Sequence, residues 1–465
     1  MDIRQLEHFI FGHMTESGLP GLSLALVAGG EVVYRGGFGH RDLVRGRAAT
    51  PDTLYGVGSI TKSLTALAVM QLAEEGRLEL SDPVDTHLPI RLEARGEVVR
   101  LEHLLSHTSG FPALAYSEAL LRSAHHIGGR PLPIASPEDV MRFMHGADDW
   151  AEAAPGERWF YFNEGYALLG LIIENLSGQP YDDYIRERIL EPLGMTRSFF
   201  SADAVANADD VAVPYVLYRD GRAPEPGRYL YRTIRSEGGL ISSANDLSRY
   251  LTMWLEHGGN IISQDSYREM VTPRVAEPKQ TAPYLFGDNG NARPARHYGY
   301  GLSVQNDFFG GTLVGHGGSV LVSTAQLAFI PERQVGVAVL ANGSGYPTAH
   351  IAQVALALLL DEDPATLPFW QIEHTLTGVT GYYQTYQQTM SATLKRRGDF
   401  LELTIHDDAQ PQTVILVPED ISNEREQHFF TLSAGQRLPV TICQRDDRTE
   451  LIYERYKFRR SGPLT

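Results

Sequence analysis

The order of apolar and polar positions along the chain predicts a mixture of helices and strands in its first part. Residues 3–17 carry apolar side chains at helical spacing and predict a helix. Two apolar runs, 22–28 and 32–38, flank a pair of glycines and predict a β-hairpin. A second helical stretch follows Gly58 and stops near Gly76. The chain therefore opens with a helix, a hairpin and a second helix.

Further along, the same pattern predicts two more helices and a set of strands. Helices are expected over residues 166–178 and over about 347–360. Between them, residues 311–315 form a short β-run, and the runs 321–330 and 335–341 predict two strands joined by a turn.

The composition shifts at residues 361–368, which are acidic and rich in proline, as in a linker. Beyond it the pattern changes to short alternating strands, predicted at 381–386, 391–396, 400–406, 413–418, 428–432, 439–445 and 450–458. Seven or eight strands in so short a stretch predict a small antiparallel barrel or sandwich. We therefore expect a first domain at 1–362, a linker at 363–373 and an all-β domain at 374–465.

The composition narrows the function classes. With 43% hydrophobic and 21% charged residues the chain has ample core material, and its net charge of −17 argues against nucleic acid and anionic membrane surfaces as partners. No stretch approaches the roughly 20 apolar residues of a membrane span. The single cysteine, Cys443, excludes an internal disulfide framework. The polar start of the chain lacks the pattern of an export signal, so we expect a cytoplasmic protein.

Lys62 is one of only four lysines among the 40 basic residues, and it follows Ser59 by three positions. A buried lysine can lose its proton, whereas an arginine cannot, so Ser-x-x-Lys is the pattern of a lysine-assisted serine nucleophile. Ser59 lies where the helix after Gly58 begins, and free backbone N–H groups there favour developing negative charge. A helix places Lys62 on the same face as Ser59.

Two further segments offer partners for this pair. Tyr161 can relay a proton, and Asn163 can position the lysine and a substrate carbonyl. After the β-run 311–315 come His316, Gly317, Gly318 and Ser319. The glycines would let a substrate lie along the strand edge, the N–H of Ser319 would face an oxyanion together with that of Ser59, and His316 could donate a hydrogen bond or help to relay protons.

The three segments Ser59-Ile60-Thr61-Lys62, Tyr161-Phe162-Asn163 and His316-Gly317-Gly318 resemble, in order and spacing, the motifs of the class C β-lactamase and penicillin-binding-protein-like superfamily, often called the CubicO group. Secondary signatures agree, and they are Leu104-Leu105-Ser106-His107-Thr108-Ser109-Gly110, Glu191-Pro192-Leu193-Gly194-Met195, Ser236-Glu237-Gly238-Gly239-Leu240 and Tyr300-Gly301-Leu302. The resemblance covers about residues 5 to 360.

This resemblance implies an α/β protein with the β-lactamase/transpeptidase-like fold, in which an antiparallel sheet is flanked by helices and stands beside a helical region. A small all-β C-terminal barrel is expected to follow it. The resemblance also implies that Ser59 is the nucleophile and that Lys62 and Tyr161 are the general base and acid. Asn163 would position the substrate and the lysine, and His316 would occupy the third motif.

The third motif departs from the Lys-Thr-Gly of true class C β-lactamases, where a cation binds the substrate carboxylate. His316 is a conditional cation near neutral pH. The chain looks more like the His-x-Gly branch, which includes D-amino-acid peptidases and some esterases. Its tail resembles the lipocalin-like barrel of an archaeal serine protease that forms a compartment. The barrel could cap the cleft, bind a ligand or assemble copies, and we favour assembly into a homo-oligomer that limits substrate size.

The sequence thus predicts a serine hydrolase that forms an acyl-enzyme, with a peptidase acting on small peptides that contain D-amino acids as the first choice. A carboxylesterase or a weak β-lactamase with the same residues stays open, and so does a ligand sensor that is acylated without turnover. The Gly-x-Ser-x-Gly motif of α/β-hydrolases is missing from the chain. We expect no cofactor and no catalytic metal, because the pair His125-His126 lacks a ligand pattern. His107 is expected to be structural.

Overall fold

The computed structural model describes residues 1–125, 136–218, 222–230, 234–278, 295–343, 348–406, 410–445 and 447–464. The contacts divide these residues into two units, one made of residues 1–278 with 295–362 and the other of residues 363–464. The predicted pair His125-His126 falls partly outside the described residues, since only His125 is included. It is the residue at which a helix over residues 116–124 ends.

The first unit contains fifteen strands among the described residues. They are β1 Gly21–Ala28, β2 Glu31–Asp42, β3 Arg47–Ala48, β4 Tyr55–Gly56, β5 Glu93–Ala94, β6 Glu97–Val98, β7 Tyr215–Val216, β8 Glu225–Pro226, β9 Ile241–Ser242, β10 Val275–Ala276, β11 Arg296–Tyr298, β12 Ser303–Phe308, β13 Gly311–Ser319, β14 Thr324–Ile330 and β15 Val335–Ala341.

Nine of these strands form one antiparallel sheet in the order β10-β11-β12-β13-β14-β15-β1-β2-β3. The strand β15 lies inside this sheet and pairs with β14 on one side and with β1 on the other, where Leu24 faces Val339. Every residue of β15 is buried. The helix at residues 244–255, which precedes this strand in the chain, and the helix at residues 348–359, which follows it, both pack against it. A strand that is covered on both faces has a continuous apolar sequence, which is why apolar and polar positions do not alternate in residues 335–341.

The helices of the first unit are α1 Ile3–Ser17, α2 Thr61–Glu74, α3 Leu101–Leu105, α4 Tyr116–Ala124, α5 Asp139–Met144, α6 Asn163–Ser177, α7 Tyr181–Ile185, α8 Ala202–Ala206, α9 Ala244–Leu255, α10 Gln264–Val271 and α11 Thr348–Leu359. The helix α2 is buried from Thr61 to Leu72, and it packs against α6. Because α2 is surrounded by other elements, its side chains are buried around the whole circumference over these residues. Among the described residues, no helix is both long and apolar enough to cross a membrane.

Most predicted elements of this unit are present, with shifted ends. The helix predicted at 166–178 begins three residues earlier, at Asn163. The helix predicted after Gly58 begins at Thr61, and Ser59 lies in the short turn before it. The β-run predicted at 311–315 continues as β13 to Ser319, so the third motif lies within the strand. The predicted pairs of strands at 22–28 with 32–38 and at 321–330 with 335–341 are antiparallel neighbours.

The second unit is an eight-stranded antiparallel barrel that closes through pairing of its first and last strands. Its strands are β16 Gly381–Gln384, β17 Ser391–Arg397, β18 Phe400–His406, β19 Gln412–Asp420, β20 Glu426–Ser433, β21 Gln436–Arg445, β22 Arg448–Tyr453 and β23 Tyr456–Gly462. Inward side chains such as Leu394, Leu403 and Phe429 are fully buried and fill the interior. The predicted fold class, a β-lactamase/transpeptidase-like sheet with helices followed by an all-β barrel, is confirmed.

Two details of the second unit differ from the sequence pattern. The single strand predicted at 450–458 is two strands, because the chain turns at Glu454, whose φ is 50°. The predicted linker 363–373 contains a 3-10 turn, Pro364–Thr366, and the start of a helix, α12 Pro368–Gly378. Leu376 of α12 is buried in the barrel core, so this helix contributes to the barrel unit.

Candidate active site

Ser59 lies in a short 3-10 turn, Gly58–Ile60, that leads directly into α2. Gly58 has a φ of 55°, a left-handed conformation that glycine adopts without strain. A Cβ atom on Gly58 would lie 2.5 Å from the backbone nitrogen of Ser319, closer than a carbon atom can approach. The glycine therefore allows the turn that carries Ser59 to lie against the end of β13.

Lys62 projects from the first turn of α2 and is completely buried. Its Nζ atom lies 3.2 Å from Oγ of Ser59, 2.7 Å from Oδ1 of Asn163 and 2.6 Å from the carbonyl oxygen of Glu237. The predicted Ser–Lys pair is thus in direct contact, and two further oxygens hold the amine in place.

The partners of Lys62 determine how its protons are arranged. The carbonyl oxygen of Glu237 only accepts hydrogen bonds, and so does Oδ1 of Asn163, whose amide is oriented by a 3.1 Å hydrogen bond from Nδ2 to Glu118. A neutral amine has two N–H groups for these acceptors, and its lone pair then faces Oγ of Ser59. Burial lowers the pKa of Lys62 to about 7, which makes this neutral form accessible near neutral pH.

Tyr161 lies two residues before α6, and the centre of its ring is 4.8 Å from Nζ of Lys62. Burial raises the pKa of the Tyr161 phenol above its ordinary value, and a hydrogen bond with the Ser59 side chain acts in the opposite direction. The phenol therefore keeps its proton at neutral pH. A protonated phenol beside Ser59 can serve as a proton donor, but it is not a resting phenolate base.

The end of β13 lies directly against the turn of Ser59. A Cβ atom on Gly318 would be 1.9 Å from the carbonyl oxygen of Val57 and 3.0 Å from the nitrogen of Ser59. A Cβ atom on Gly317 would instead lie 3.1 Å from the end of the Gln326 side chain, which can move. Gly318 is therefore required for this close approach, whereas Gly317 is not required for it.

The N–H group of Ser319 points away from the neighbouring strand. Residues opposite each other in an antiparallel ladder alternate between hydrogen-bonded and non-bonded pairs. The N–H of Val320 donates to Ser323 at 3.1 Å, so the preceding pair, Ser319 with Thr324, is a non-bonded one. Among the described strands, β12 pairs with β13 only as far as Gly315. The Ser319 N–H is thus a donor that this part of the sheet does not use.

His316 is 5% exposed, and its ring contacts protein groups through both nitrogens. Nε2 lies 2.8 Å from the hydroxyl of Tyr298, and Nδ1 lies 2.5 Å from the carbonyl oxygen of Gly317. The ring centre is 6.2 Å from that of Tyr161. His316 is thus near the Ser59 cluster, with its polar atoms directed at β11 and at its own strand.

The described residues bring every predicted site residue into one region. Direct contacts link the first four, and the strand β13 brings the others against the turn of Ser59; in chain order they are Ser59, Lys62, Tyr161, Asn163, His316, Gly317, Gly318 and Ser319. Their catalytic roles stay predictions. The geometry brings a serine hydroxyl, a buried amine and a phenol together beside the end of β13.

The carboxylates around Lys62 are absent from the set of residues that the sequence predicts for the site. Glu237, Glu118 and Glu164 each favour the charged form of Lys62 and so oppose the effect of burial on its pKa. Glu164 is itself fully buried, and burial raises its pKa to about 7. Glu164 follows Asn163 directly, and Glu237 lies inside one of the secondary signatures. The sequence alone, however, does not show whether a glutamate is buried.

His107 supports the segment that carries the second motif. Its Nδ1 accepts a 3.1 Å hydrogen bond from the N–H of Phe162, the residue between Tyr161 and Asn163. Burial lowers the pKa of His107 well below its ordinary value, so the ring is neutral and its proton lies on Nε2. The geometry agrees with the structural role expected for this histidine.

Two family models match the chain. The model described as Beta-lactamase matches residues 6–361, and the model described as Pab87 octamerisation domain matches residues 364–459. The chain belongs to the beta-lactamase family. The family predicted from the three motifs is thereby confirmed, and the barrel is assigned to a described domain type.

Three similar proteins agree with this assignment. The octameric penicillin-binding protein homologue from Pyrococcus abyssi is 42% identical with a TM-score of 0.91, and the alignment covers 99% of this chain and 100% of that one. The D-amino acid amidase from Ochrobactrum anthropi SV3 shares the fold, with 21% identity and a TM-score of 0.61 over 78% of this chain and 99% of that one. The protein flp of Staphylococcus aureus is 30% identical over 73% of this chain, a match that spans 63% of flp.

Proposed function

We propose that the chain is a serine hydrolase that forms an acyl-enzyme on Ser59. The arrangement of Lys62 carries this proposal, because two acceptors fix both N–H groups of its neutral form and leave the lone pair for the Ser59 hydroxyl. A pKa of about 7 allows the amine to take up a proton and release it near neutral pH. Membership in the beta-lactamase family supports the same reaction class.

In the proposed reaction Ser59 Oγ attacks a carbonyl carbon while its proton passes to Nζ of Lys62. The carbonyl oxygen becomes an oxyanion, which the N–H groups of Ser59 and Ser319 would hold. The Tyr161 phenol gives its proton to the leaving group and regains one from Lys62 as the carbon–leaving-group bond breaks. Water then attacks the acyl-enzyme, its proton returns through the same groups, and the acid product leaves Ser59.

The proposed substrates are small peptides that contain D-amino acids. The resemblance of the third motif to the His-x-Gly branch supports this choice, and a D-stereospecific amidohydrolase and a D-amino acid amidase share the fold. Rates on a D-aminoacyl anilide, its L enantiomer, a p-nitrophenyl ester and a chromogenic cephalosporin test it. The proposal expects the D-anilide to have the highest kcat/KM among the amides. Turnover of the ester alone would favour a carboxylesterase, and a burst without turnover would favour an acylated sensor.

We also propose that the chain forms a homo-oligomer through its barrel, on the model of the octameric relative. The barrel presents an apolar outer surface on β19 and β20, which we call the barrel face and define by Ile415, Val417, Phe430 and Leu432. Val417 pairs with Phe430, and Ile415 and Leu432 flank this pair with 45% and 67% of their surfaces exposed. Exposed apolar side chains on neighbouring strands favour a protein interface, and the guanidinium of Arg437 lies over the Phe430 ring at the same place.

A further inference from the structure

The ring of His316 contacts two protein groups whose chemistry defines its protonation. The carbonyl oxygen of Gly317, 2.5 Å from Nδ1, can only accept a hydrogen bond, so Nδ1 carries a proton. In the neutral ring, Nε2 is then an acceptor, and the Tyr298 hydroxyl lies 2.8 Å away, where it can donate to it. Protonation of Nε2 would reverse only this second hydrogen bond. In either form the ring holds the Gly317 carbonyl.

The Gly317 carbonyl and the Ser319 N–H group lie on the same edge of β13. Gly318 faces Ala325 in a hydrogen-bonded pair, so its own N–H and carbonyl groups point toward β14. The backbone groups on either side of it point the opposite way, and these are the carbonyl of Gly317 and the N–H of Ser319. The His316 ring thus fixes the Gly317–Gly318 peptide, which immediately precedes the peptide that carries the proposed oxyanion donor.

The backbone at Gly318 is also restricted by the turn that carries Ser59, which lies directly against it. Gly318 lies so close to the Ser59 turn that an added Cβ atom would clash with the Val57 carbonyl and lie 3.0 Å from the Ser59 nitrogen. A rotation of the Gly317 peptide would therefore move the Ser319 nitrogen relative to the Ser59 nitrogen. Because transition-state stabilisation depends on two donors aimed at one oxygen, a small shift of either N–H group reduces it.

Tyr298 is placed to hold the ring. It lies at the end of β11, where it pairs with Ser303, and Ser303 in turn pairs with Gly315, the residue before His316. Its side chain is 1% exposed, and burial raises the pKa of its phenol well above the ordinary value. The hydroxyl therefore stays protonated over the range in which enzymes work, and it lies within hydrogen-bond distance of Nε2.

We propose that His316, held by Tyr298, is a positioning residue that orients the Gly317 peptide and thereby aims the Ser319 N–H group at the oxyanion. His316 does not bind a charged group of the substrate, because its polar atoms are occupied by Gly317 and Tyr298. This role rests on the proposed function of Ser59 as the nucleophile. In this role the third motif helps to stabilise the oxyanion and does not recognise a substrate carboxylate.

The test uses two phenyl esters that differ only in a carboxylate on the leaving phenol. His316→Gln can reach Tyr298 but has no donor at the position of Nδ1, whereas His316→Asn keeps a donor there and loses Tyr298. Loss of an oxyanion donor costs about 10²- to 10³-fold in kcat, so a displaced donor in His316→Gln should cost about tenfold to a hundredfold with KM nearly unchanged. The loss should be equal for both esters and smaller in His316→Asn. His297→Asn, on β11 next to Tyr298, serves as the matched control and should keep wild-type rates.

The outcomes separate the alternatives. A loss of rate in His316→Gln that is confined to the carboxylate-bearing ester would show that His316 recognises charge. Wild-type rates of this variant on both esters would show that His316 does not position the donor. Either result overturns the inference. If the wild-type chain turns over neither ester, the proposed function fails instead. A crystal structure of His316→Gln then decides independently of turnover, because the inference expects a changed distance between the Ser59 and Ser319 nitrogens, and an unchanged distance contradicts it.

Discussion

The Nζ atom of Lys62 lies 2.6 Å from the carbonyl oxygen of Glu237, and the carboxyl group of the same glutamate is buried beside it. The backbone of Glu237 thus orients the amine, while its side chain influences the charge on that amine. Burial lowers the pKa of Lys62 to about 7, and Glu237 is the strongest of the carboxylates that oppose this shift. The protonation of the proposed base is therefore set by a balance between burial and nearby carboxylates.

This balance predicts the pH dependence of kcat/KM. Lys62 must be neutral to accept the proton of Ser59, so kcat/KM should rise with pH through about 7, the pKa of Lys62. Lys62→Arg cannot lose its proton and should reduce kcat/KM by about 10³- to 10⁴-fold at every pH. Initial rates between pH 5 and 9 on a p-nitrophenyl ester measure both effects. A profile that stays flat across this range would contradict the role of Lys62.

Glu237→Gln should move the same profile. A nearby negative charge favours the protonated amine, so its removal lowers the pKa of Lys62 and shifts the rising limb to lower pH by about one unit or less. The amide keeps the size of the side chain, and the backbone carbonyl that holds Lys62 is unchanged. Glu174→Gln is the matched control, since Glu174 pairs with Arg235 and is not among the groups that influence Lys62. A shift to higher pH in Glu237→Gln would refute this electrostatic assignment.

The two glycines of the third motif should differ sharply in their tolerance of alanine. In Gly318→Ala the new Cβ atom would lie 1.9 Å from the Val57 carbonyl oxygen, so the strand must move away from Ser59 and kcat should fall by about 10²-fold. In Gly317→Ala the nearest atom is the flexible end of Gln326 at 3.1 Å, so activity should stay within about threefold of wild type. Kinetics and circular dichroism of the two variants provide the comparison. Equal losses in both would argue against close packing of β13 on the Ser59 turn.

The barrel face should control assembly. An octamer of this 51.5-kDa chain has a mass of about 412 kDa, and we expect this mass for the wild-type chain in light scattering after size exclusion. Leu432→Glu combined with Ile415→Glu places two charges on the apolar surface and should produce smaller species without loss of barrel structure. Tyr386→Glu, at a residue 85% exposed outside the strands, is the control and should keep the large species. Retention of the large species by the double variant would exclude the barrel face as the interface.

The sequence selected the residues proposed to carry the chemistry, but it did not select the residues that support them. Ser59, Lys62 and Tyr161 could be selected because their residue types, order and spacing together are typical of one kind of catalytic site. Glu237 could not, because its effect depends on burial and on a carbonyl that meets Lys62 from a distant part of the chain. Sequence patterns describe what lies along one element, whereas these contacts join elements that are far apart in sequence.

The same limit accounts for the errors in the predicted elements. The chain turns at Glu454 without a glycine or proline, so the pattern predicted one strand where β22 and β23 stand. Tyr298 lies two strands from His316 in the sheet, and their hydrogen bond follows from the order β11-β12-β13. Strand order is a property of the whole fold, and local periodicity does not contain it.

The proposed nucleophile, Ser59, can be distinguished from a nearby serine, Ser63, in the first turn of α2. Ser59→Ala should reduce kcat by about 10⁴-fold or more, since no other group replaces its oxygen. Ser63, one turn further, hydrogen bonds to Ile60 and Tyr250 in the core. Ser63→Ala should keep activity within a few-fold and cost about 1 kcal/mol of unfolding free energy. Ester hydrolysis and thermal unfolding of both variants measure this contrast.

The most direct test of acyl-enzyme formation is mass spectrometry of the intact chain, quenched in acid during turnover of a slowly released ester. We expect one added acyl group per chain, and peptide mapping should place it on Ser59 in the wild-type protein and in Ser63→Ala. Ser59→Ala should show no adduct. An adduct on another residue, or steady turnover by Ser59→Ala, would contradict the assignment of Ser59 as the nucleophile.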